Sequence, residues 1–448
     1  MNKGWKEIVL DEFIDFNPRE SIKKGQLSKK VAMDCLKEFQ RSINSYALEE
    51  FTSGTKFKNG DTLLARITPC LQNGKSAYVD ILEDNEIAFG STEYIVFREK
   101  KNVSDKLFLY YLAIYPELRN VAMQSMTGSS GRQRVQIDVL KNSIFNLPPL
   151  AEQKAIAKIL GDLDAKIELN RKMNETLEAM AQALFQSWFV DFDPVIDNAL
   201  KAGHAIPEAL QHKAEIRKEV IAKRHAELDS ASHPELPKDI QNLFPNAFEY
   251  NENLDKWIPE GWEVVKFDNV VEVKYGKDHK KLGEGVFPCY GSGGIMRYVN
   301  ETICNKETVL IPRKGTLTNL MYVRKPFWSV DTMFFTTYKE ANFVKYIFYF
   351  LQKFNFLEMN VGSAVPSMTT KVLNSLDLIK PTTKILECFE REVEMFLSKK
   401  ESNTTQSESL IKQRDTLLPQ LISGKLKLPQ SLVLQMDTEL DKETKKII

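Results

Sequence analysis

Apolar positions are spaced most regularly between Leu150 and Trp188. Ile156, Leu160, Leu163, Ile167, Asn170, Asn174, Leu177, Ala181, Leu184 and Trp188 follow an unbroken 4-3 spacing. A hydrophobic repeat of about 3.5 residues is the seam of a coiled coil. The pair Pro148-Pro149 closes whatever precedes this stretch, and the next proline is Pro194. At about 1.5 Å per residue the predicted helix is ~55 Å long. A stripe of that length needs a long partner to bury it.

The same pattern returns near the other end of the chain. Phe389, Val393, Phe396, Lys400, Asn403, Ser407, Leu410, Arg414, Leu417 and Leu421 each lie 233 positions after their counterparts. Both seams are apolar at their ends and polar in the middle, at Asn170 and Asn174 in one and at Asn403 and Ser407 in the other. In an antiparallel pair related by a pseudo-twofold axis the two polar layers meet at the axis. Buried Asn at such a seam sets register at some cost in stability. Two independent surface helices would not need this shared register.

Elsewhere the pattern breaks into short elements. The β-prone run TLLARITPCLQ, bracketed by Asn59-Gly60-Asp61 and Asn73-Gly74-Lys75, predicts a strand, a bend and a return. Ile87 to Phe97 reads as another strand pair, Lys106 to Met126 as a helical stripe, and Thr127 to Val135 as a glycine-rich loop. A second copy begins near Gly261-Trp262, which echoes Gly4-Trp5. GDTLLARIT (Gly60 to Thr68) parallels ETVLIPRKG (Glu307 to Gly315), and GSTEYIVF (Gly90 to Phe97) parallels SVDTMFFT (Ser329 to Thr336). In both copies an aromatic helix then leads to a Gly-Ser loop, at Gly128-Ser129 and Gly362-Ser363. The expected fold class is α+β: two mixed α/β globular domains joined by two long helices in an antiparallel coiled coil with pseudo-twofold symmetry. The expected order is a globular domain (1–149), a long helix (150–191), a helical linker (192–259), a second globular domain (260–380), a second long helix (381–426) and a tail (427–448).

Composition narrows the function classes. The 448 residues are too many for one core, and 61 basic residues against 61 acidic ones give a formal net charge of zero. Any surface for nucleic acid must therefore be local. No apolar run approaches the ~20 residues of a membrane span, and the N-terminus does not resemble a signal peptide, which points to the cytoplasm. The five cysteines are scattered and never spaced as CxxC, as expected of reduced thiols.

Catalytic patterns are weak throughout. A phosphate-binding loop ending at Asn73-Gly74-Lys75-Ser76 would need glycine where Pro69 stands. Asn146-Leu147-Pro148-Pro149 has the wrong order for the tetrapeptide of amino-methyltransferases. His204, His212, His225 and His233 are spaced too widely for a metal site and read as solvated. Asp191 and Asp193 close a helix beside Pro194 with no basic partner in sight, so no catalytic role follows.

The informative side chains sit in the domain loops. Arg66, Thr68, Gln72, Asn73 and Lys75 cluster in one loop, and Ser129, Ser130, Arg132, Gln133 and Arg134 in another. In the second copy Lys274, Lys277, Ser292, Arg313, Lys314, Thr318, Asn319, Ser363 and Lys371 are comparable. Arg and Lys reach phosphates or guanine O6/N7, while Asn and Gln pair with adenine N6/N7.

These segments together resemble the specificity subunits of type I restriction-modification systems, over nearly the whole chain. The most specific stretches are GDTLLARITPCLQNGKSA (Gly60 to Ala77), GSTEYIVF, GSSGRQRV (Gly128 to Val135) and the run from Leu147 to Pro194. LFPNAF followed by IPEGW (Ile258 to Trp262) and LLPQLISGKL (Leu417 to Leu426) are also similar to the family. The resemblance implies a non-catalytic subunit whose two target recognition domains each read half of an asymmetric, interrupted DNA site. It implies double-stranded DNA, two adenine-methylating subunits and ATP-driven restriction subunits as partners. S-adenosylmethionine, ATP and Mg are then expected on those partners, with no cofactor or metal on this chain. Half-sites on one face of B-DNA lie about one turn apart, ~34 Å, a distance the long helices could set. The competing class is a non-catalytic scaffold whose domains bind other proteins.

Overall fold

A computed structural model describes residues 4–129, 131–226, 236–359 and 366–445; the side chains of residues 224–226 and 441–445 are not described. Ser130, His233 and the Gly362-Ser363 loop lie outside those residues. The chain forms two compact units, one of residues 1–173 with 402–448 and one of residues 174–401.

Two helices of 40 residues, Leu150–Phe189 and Thr383–Ile422, each contribute to both units. The first ends at Phe189, short of Pro194, because Phe192 turns into the left-handed region and a new helix starts at Asp193. The second contains Pro419 three residues before its end; proline has no N–H to give the carbonyl four residues back, and the helix stops within one turn of it. Gly424, at φ +69°, then reverses the chain, as helix C-termini commonly do with glycine.

Within each unit the helices pair antiparallel along the expected seam. In the first unit Ile156 and Leu160 share a core with Leu418, Leu421 and Ile422. Further along, Asp164 meets Arg414, and Asn170 meets Asn403 and Ser407. In the second unit Glu178 accepts a bond from Lys400, and Phe185 and Trp188 pack on Phe389 with ring centroids 6.0 and 6.1 Å apart. All the described seam positions are buried or half-buried.

The globular parts share one topology. The first has a four-stranded sheet in the order Ile14–Phe16, Tyr94–Glu99, Thr62–Ala65, Ser76–Tyr78. The second repeats it with Val271–Tyr275, Met333–Tyr338, Thr308–Pro312 and Met321–Val323. The central strands are nearly all buried, since one face meets the core and the other a second sheet or a helix. In both units a parallel bridge joins that second sheet, from Leu27–Val31 to Ala88–Gly90 in one and from Phe287–Gly291 to Trp328–Ser329 in the other. Lys6–Val9 pairs with Ile144–Leu147, and Glu263–Lys266 with Asp377–Lys380.

Three expectations are corrected. The helical stripe from Lys106 to Met126 is two helices, Lys106–Ile114 and Pro116–Gln124, because Pro116 forces Tyr115 out of helical geometry. The helical linker ends in a β-hairpin, Phe248–Asn251 with Lys256–Pro259. Asp191 and Asp193 do have basic partners, since Lys213 lies 2.8 Å from Asp191 and Arg217 3.7 Å from Asp193. Those cations come from the linker helix Gln211–Ala226, too distant in sequence for local pattern to reveal. The tail likewise folds back as Gln430–Lys445, with Met436 packed on Ala151 and Ala155.

Candidate nucleic-acid interface

In the first unit the two candidate loops meet. Ile67 bridges Arg134, and Arg134 also bridges Thr127 across its own hairpin. The Thr68 amide donates to the Gln133 carbonyl, and the Gln133 amide returns a bond to the Thr68 hydroxyl, both at 3.0 Å. The Val135 amide donates to the Arg66 carbonyl at 2.9 Å. Residues more than sixty positions apart thus become one surface. Ser129 and Arg132 sit exposed at the hairpin tip, and Gln72 and Asn73 are exposed on the neighbouring loop.

Glu93, which sequence reading passed over, organises this surface. It accepts from Arg134 Nε at 3.0 Å and from Nη2 at 2.7 Å, and Arg66 Nε lies 4.0 Å away. The three side chains sum to one positive charge, so Glu93 orients the arginines without cancelling them. Arg119 supports the loop from behind, donating to the carbonyls of Leu71 and Gln72 at 2.7 and 3.4 Å. Burial lowers its pKa. Nothing in the local pattern singled out either residue, because each acts on partners more than twenty positions away. Lys75 is displaced from its expected role: its ammonium donates to the Met33 carbonyl at 2.9 Å, tethering the loop to the domain.

The second unit builds the corresponding junction. Lys314 bridges Ser367, and the Met368 amide donates to the Arg313 carbonyl at 2.8 Å. Arg313 Nη1 donates to the Asp331 carbonyl at 2.9 Å, with its guanidinium over the Tyr275 ring at 5.2 Å. Asn319 Nδ2 donates to the Ser292 carbonyl at 3.0 Å, joining the Phe287–Gly291 hairpin turn to this loop. A side chain at Gly315 (φ +86°) would sit 2.9 Å from the Ser292 hydroxyl, so glycine permits that contact on two counts. Lys314, Thr318 and Lys277 are exposed, as is Lys371 on the short helix Thr370–Asn374. Lys274 is partly committed to Glu272, 3.2 Å away.

The polar layer of the helices is a separate feature. Asn170 Nδ2 reaches the Asn403 carbonyl at 3.3 Å, Gln406 Oε1 at 2.9 Å and Ser407 Oγ at 3.2 Å. Gln406 is a partner the seam pattern did not include. Asn174 is half-buried.

Two mixed α/β folds of one topology, each carrying a cationic loop junction and each adjoining paired long helices, define the class. Residues 2–179 and 259–408 match the model of the type I restriction modification DNA specificity domain. Those stretches are most of the chain, and the protein belongs to that family. It is 25% identical over 406 residues to the Type I restriction enzyme HindI specificity subunit of Haemophilus influenzae, covering 82% of this chain and 87% of that one. It is 24% identical over 355 residues to the MjaIX specificity subunit of Methanocaldococcus jannaschii, covering 72% and 69%. The crystal structure of a type I restriction-modification S subunit from M. genitalium has the same fold, with a TM-score of 0.54 at 17% identity over 96% of this chain and 98% of that one. Among the described residues no helix is long and apolar enough to cross a membrane.

Proposed function

We propose that this chain is the sequence-reading subunit of a type I restriction-modification assembly, each globular unit reading one half of a bipartite, asymmetric DNA site. The observation that carries this is the loop junction built twice, with Arg66, Gln133 and Arg134 gathered in one copy and Arg313, Lys314 and Asn319 in the other. Such side chains serve both phosphate contact and base-edge reading. On this reading the chain is non-catalytic. Two methyltransferase subunits and ATP-dependent restriction subunits perform adenine methylation or cleavage, and they carry S-adenosylmethionine, ATP and Mg. A formal net charge of zero is compatible with this role, because partner subunits can supply much of the cationic surface around the duplex.

The test is a genome-wide map of methylated adenines in the host with and without the gene. Loss of one bipartite motif on deletion is the expected result. If no motif is lost and the purified assembly holds DNA with an affinity insensitive to salt, the reading fails, because phosphate contacts make binding fall steeply with salt.

A further inference from the structure

The two units differ where the second sheet turns. In the second unit the strand Phe287–Gly291 passes through residues 292–293 straight into its antiparallel neighbour Gly294–Val299. In the first unit the equivalent strand, Leu27–Val31, also pairs antiparallel with its successor, Ala47–Glu50, but residues 32–46 lie between them. The shared topology does not need that segment. It also lies outside the stretches that resemble the family, the first of which starts at Gly60. From this segment one aromatic side chain emerges beside the candidate loops. Glu38 bridges Lys75, and the Phe39 amide donates to the Gly74 carbonyl at 3.0 Å. Phe39 is thereby fastened to the loop that exposes Gln72 and Asn73.

The local geometry holds the Phe39 ring in place and keeps it exposed. Its backbone lies in the left-handed region at φ +54°, which a bulky residue adopts only where its surroundings impose it. Besides the bond to Gly74, Arg414 Nη1 reaches the Phe39 carbonyl at 3.4 Å, and the Arg119 guanidinium lies over the ring at 5.1 Å. Arg119 is buried, and its Nη1 has no hydrogen-bond partner among the described residues, so the ring offers that cation an attraction its hydrogen bonds leave over. Gly74 lies against the ring: a Cβ there would fall 2.6 Å from Cε1 and Cζ and 2.7 Å from Cδ1. Near-equal distances to three neighbouring ring atoms put Gly74 over a ring face. Even so, Phe39 is 48% exposed.

A ring with one face covered cannot enter between stacked base pairs, as an intercalating wedge does. Its open edge remains, and the apolar group that the major groove offers to such an edge is the C5-methyl of thymine. The neighbouring amides of Gln72 and Asn73 suit adenine, the partner of thymine in a base pair. An immobilised ring also loses little freedom on contact.

We propose that Phe39 is a specificity-determining residue of the first unit, its exposed ring edge contacting the C5-methyl group of one thymine in the half-site which that unit reads. This rests on the DNA-reading function proposed above. The second unit, which turns at residues 292–293, has no counterpart of this contact.

The test uses the full chain purified with its methyltransferase subunits, acting on synthetic duplexes that carry the mapped motif. Each thymine is replaced in turn by deoxyuridine, which removes the methyl group and keeps the base pair. One replacement should lower kcat/KM for adenine methylation by about three- to tenfold, the worth of one methyl group's burial. F39G deletes the ring and suits the left-handed backbone, so it should fold. It should use thymine and uracil equally at that one position and treat every other replacement as the wild type does. F39N, which also tolerates that backbone, is the second variant should F39G be insoluble. A wild type indifferent to every deoxyuridine overturns the proposal. So does an F39G complex with unchanged thymine preference, or one that loses activity equally on all duplexes, because a merely structural ring would behave so. Absence of any bipartite motif in the wild type would instead refute the DNA-reading function itself.

Discussion

The contact between Asp164 and Arg414 permits a quantitative test of how the long helices are held together in the first unit. Arg414 Nη1 lies 2.8 Å from Asp164 Oδ1, and both side chains are only 5% exposed. Tyr111 donates its hydroxyl to the second carboxylate oxygen at 2.8 Å. Burial alone would lower the Arg414 pKa, but Asp164 outweighs it and the net shift is upward. Arg414→Met keeps an apolar stem of similar reach and removes the ion-pair partner of the buried Asp164 carboxylate, leaving only Tyr111 and the nearby charge of Arg41 to offset it. Removing one member of a buried pair costs about 3–5 kcal/mol. For a cooperative unit of roughly 150–250 residues, about 1 kcal/mol lowers Tm by about 2–4 °C. The expected loss is therefore about 6–20 °C, read by calorimetry on the full chain. Adding Asp164→Asn removes the stranded charge and keeps an acceptor for Tyr111, so D164N/R414M should recover much of that loss. If R414M costs under about 1 kcal/mol, or if the double variant melts no higher than R414M, the reasoning about buried charge is wrong.

Other consequences can be measured in the same way. Asn170→Leu deletes a buried Oδ1 without a hydrogen-bond partner, so Tm should rise, the orphan acceptor being worth about 1–3 kcal/mol; a fall in Tm would show that the Nδ2 bonds dominate. The second unit should lose stability in alkali. Burial lowers the Lys345 pKa, but Glu390 and its neighbours raise it further, to a net value above 10.5, and burial raises those of Tyr338 and Tyr346 above 10.0. Groups whose pKa is raised by folding contribute stability that is complete below about pH 10 and lost as the pH climbs beyond it. Urea midpoints that hold steady from pH 8 to pH 11 would contradict this. Inserting one heptad into both long helices should lengthen the non-specific spacer of the methylated motif and leave both half-sites intact, and an unchanged spacer would remove helix length as the ruler.

The two long helices were legible because a heptad seam is a local, repeated signal, and the 233-residue offset matched one seam to the other. The antiparallel contacts of Asn170 with Asn403 and Ser407 follow from that offset and from little else. The duplication of the globular parts was visible in paired fragments such as GDTLLARIT and ETVLIPRKG, which prove to be equivalent strands of two sheets with one order. The break at Pro116 was also available in the sequence, although a continuous apolar stripe concealed it.

What the chain alone determined was pattern: where long helices run, where β-prone runs lie between turn signals, and that the arrangement occurs twice. Such patterns record which face of an element is apolar, and burial of that face is strong enough to dictate the element. Tertiary structure decided which polar side chains meet. Lys75 turned from a loop cation into a tether to Met33, Asp191 and Asp193 acquired Lys213 and Arg217, and Glu93 came to hold Arg134 forty-one positions away. A charged side chain carries no periodic mark of its partner, because the attraction depends on distance in space and the spacing in sequence is arbitrary.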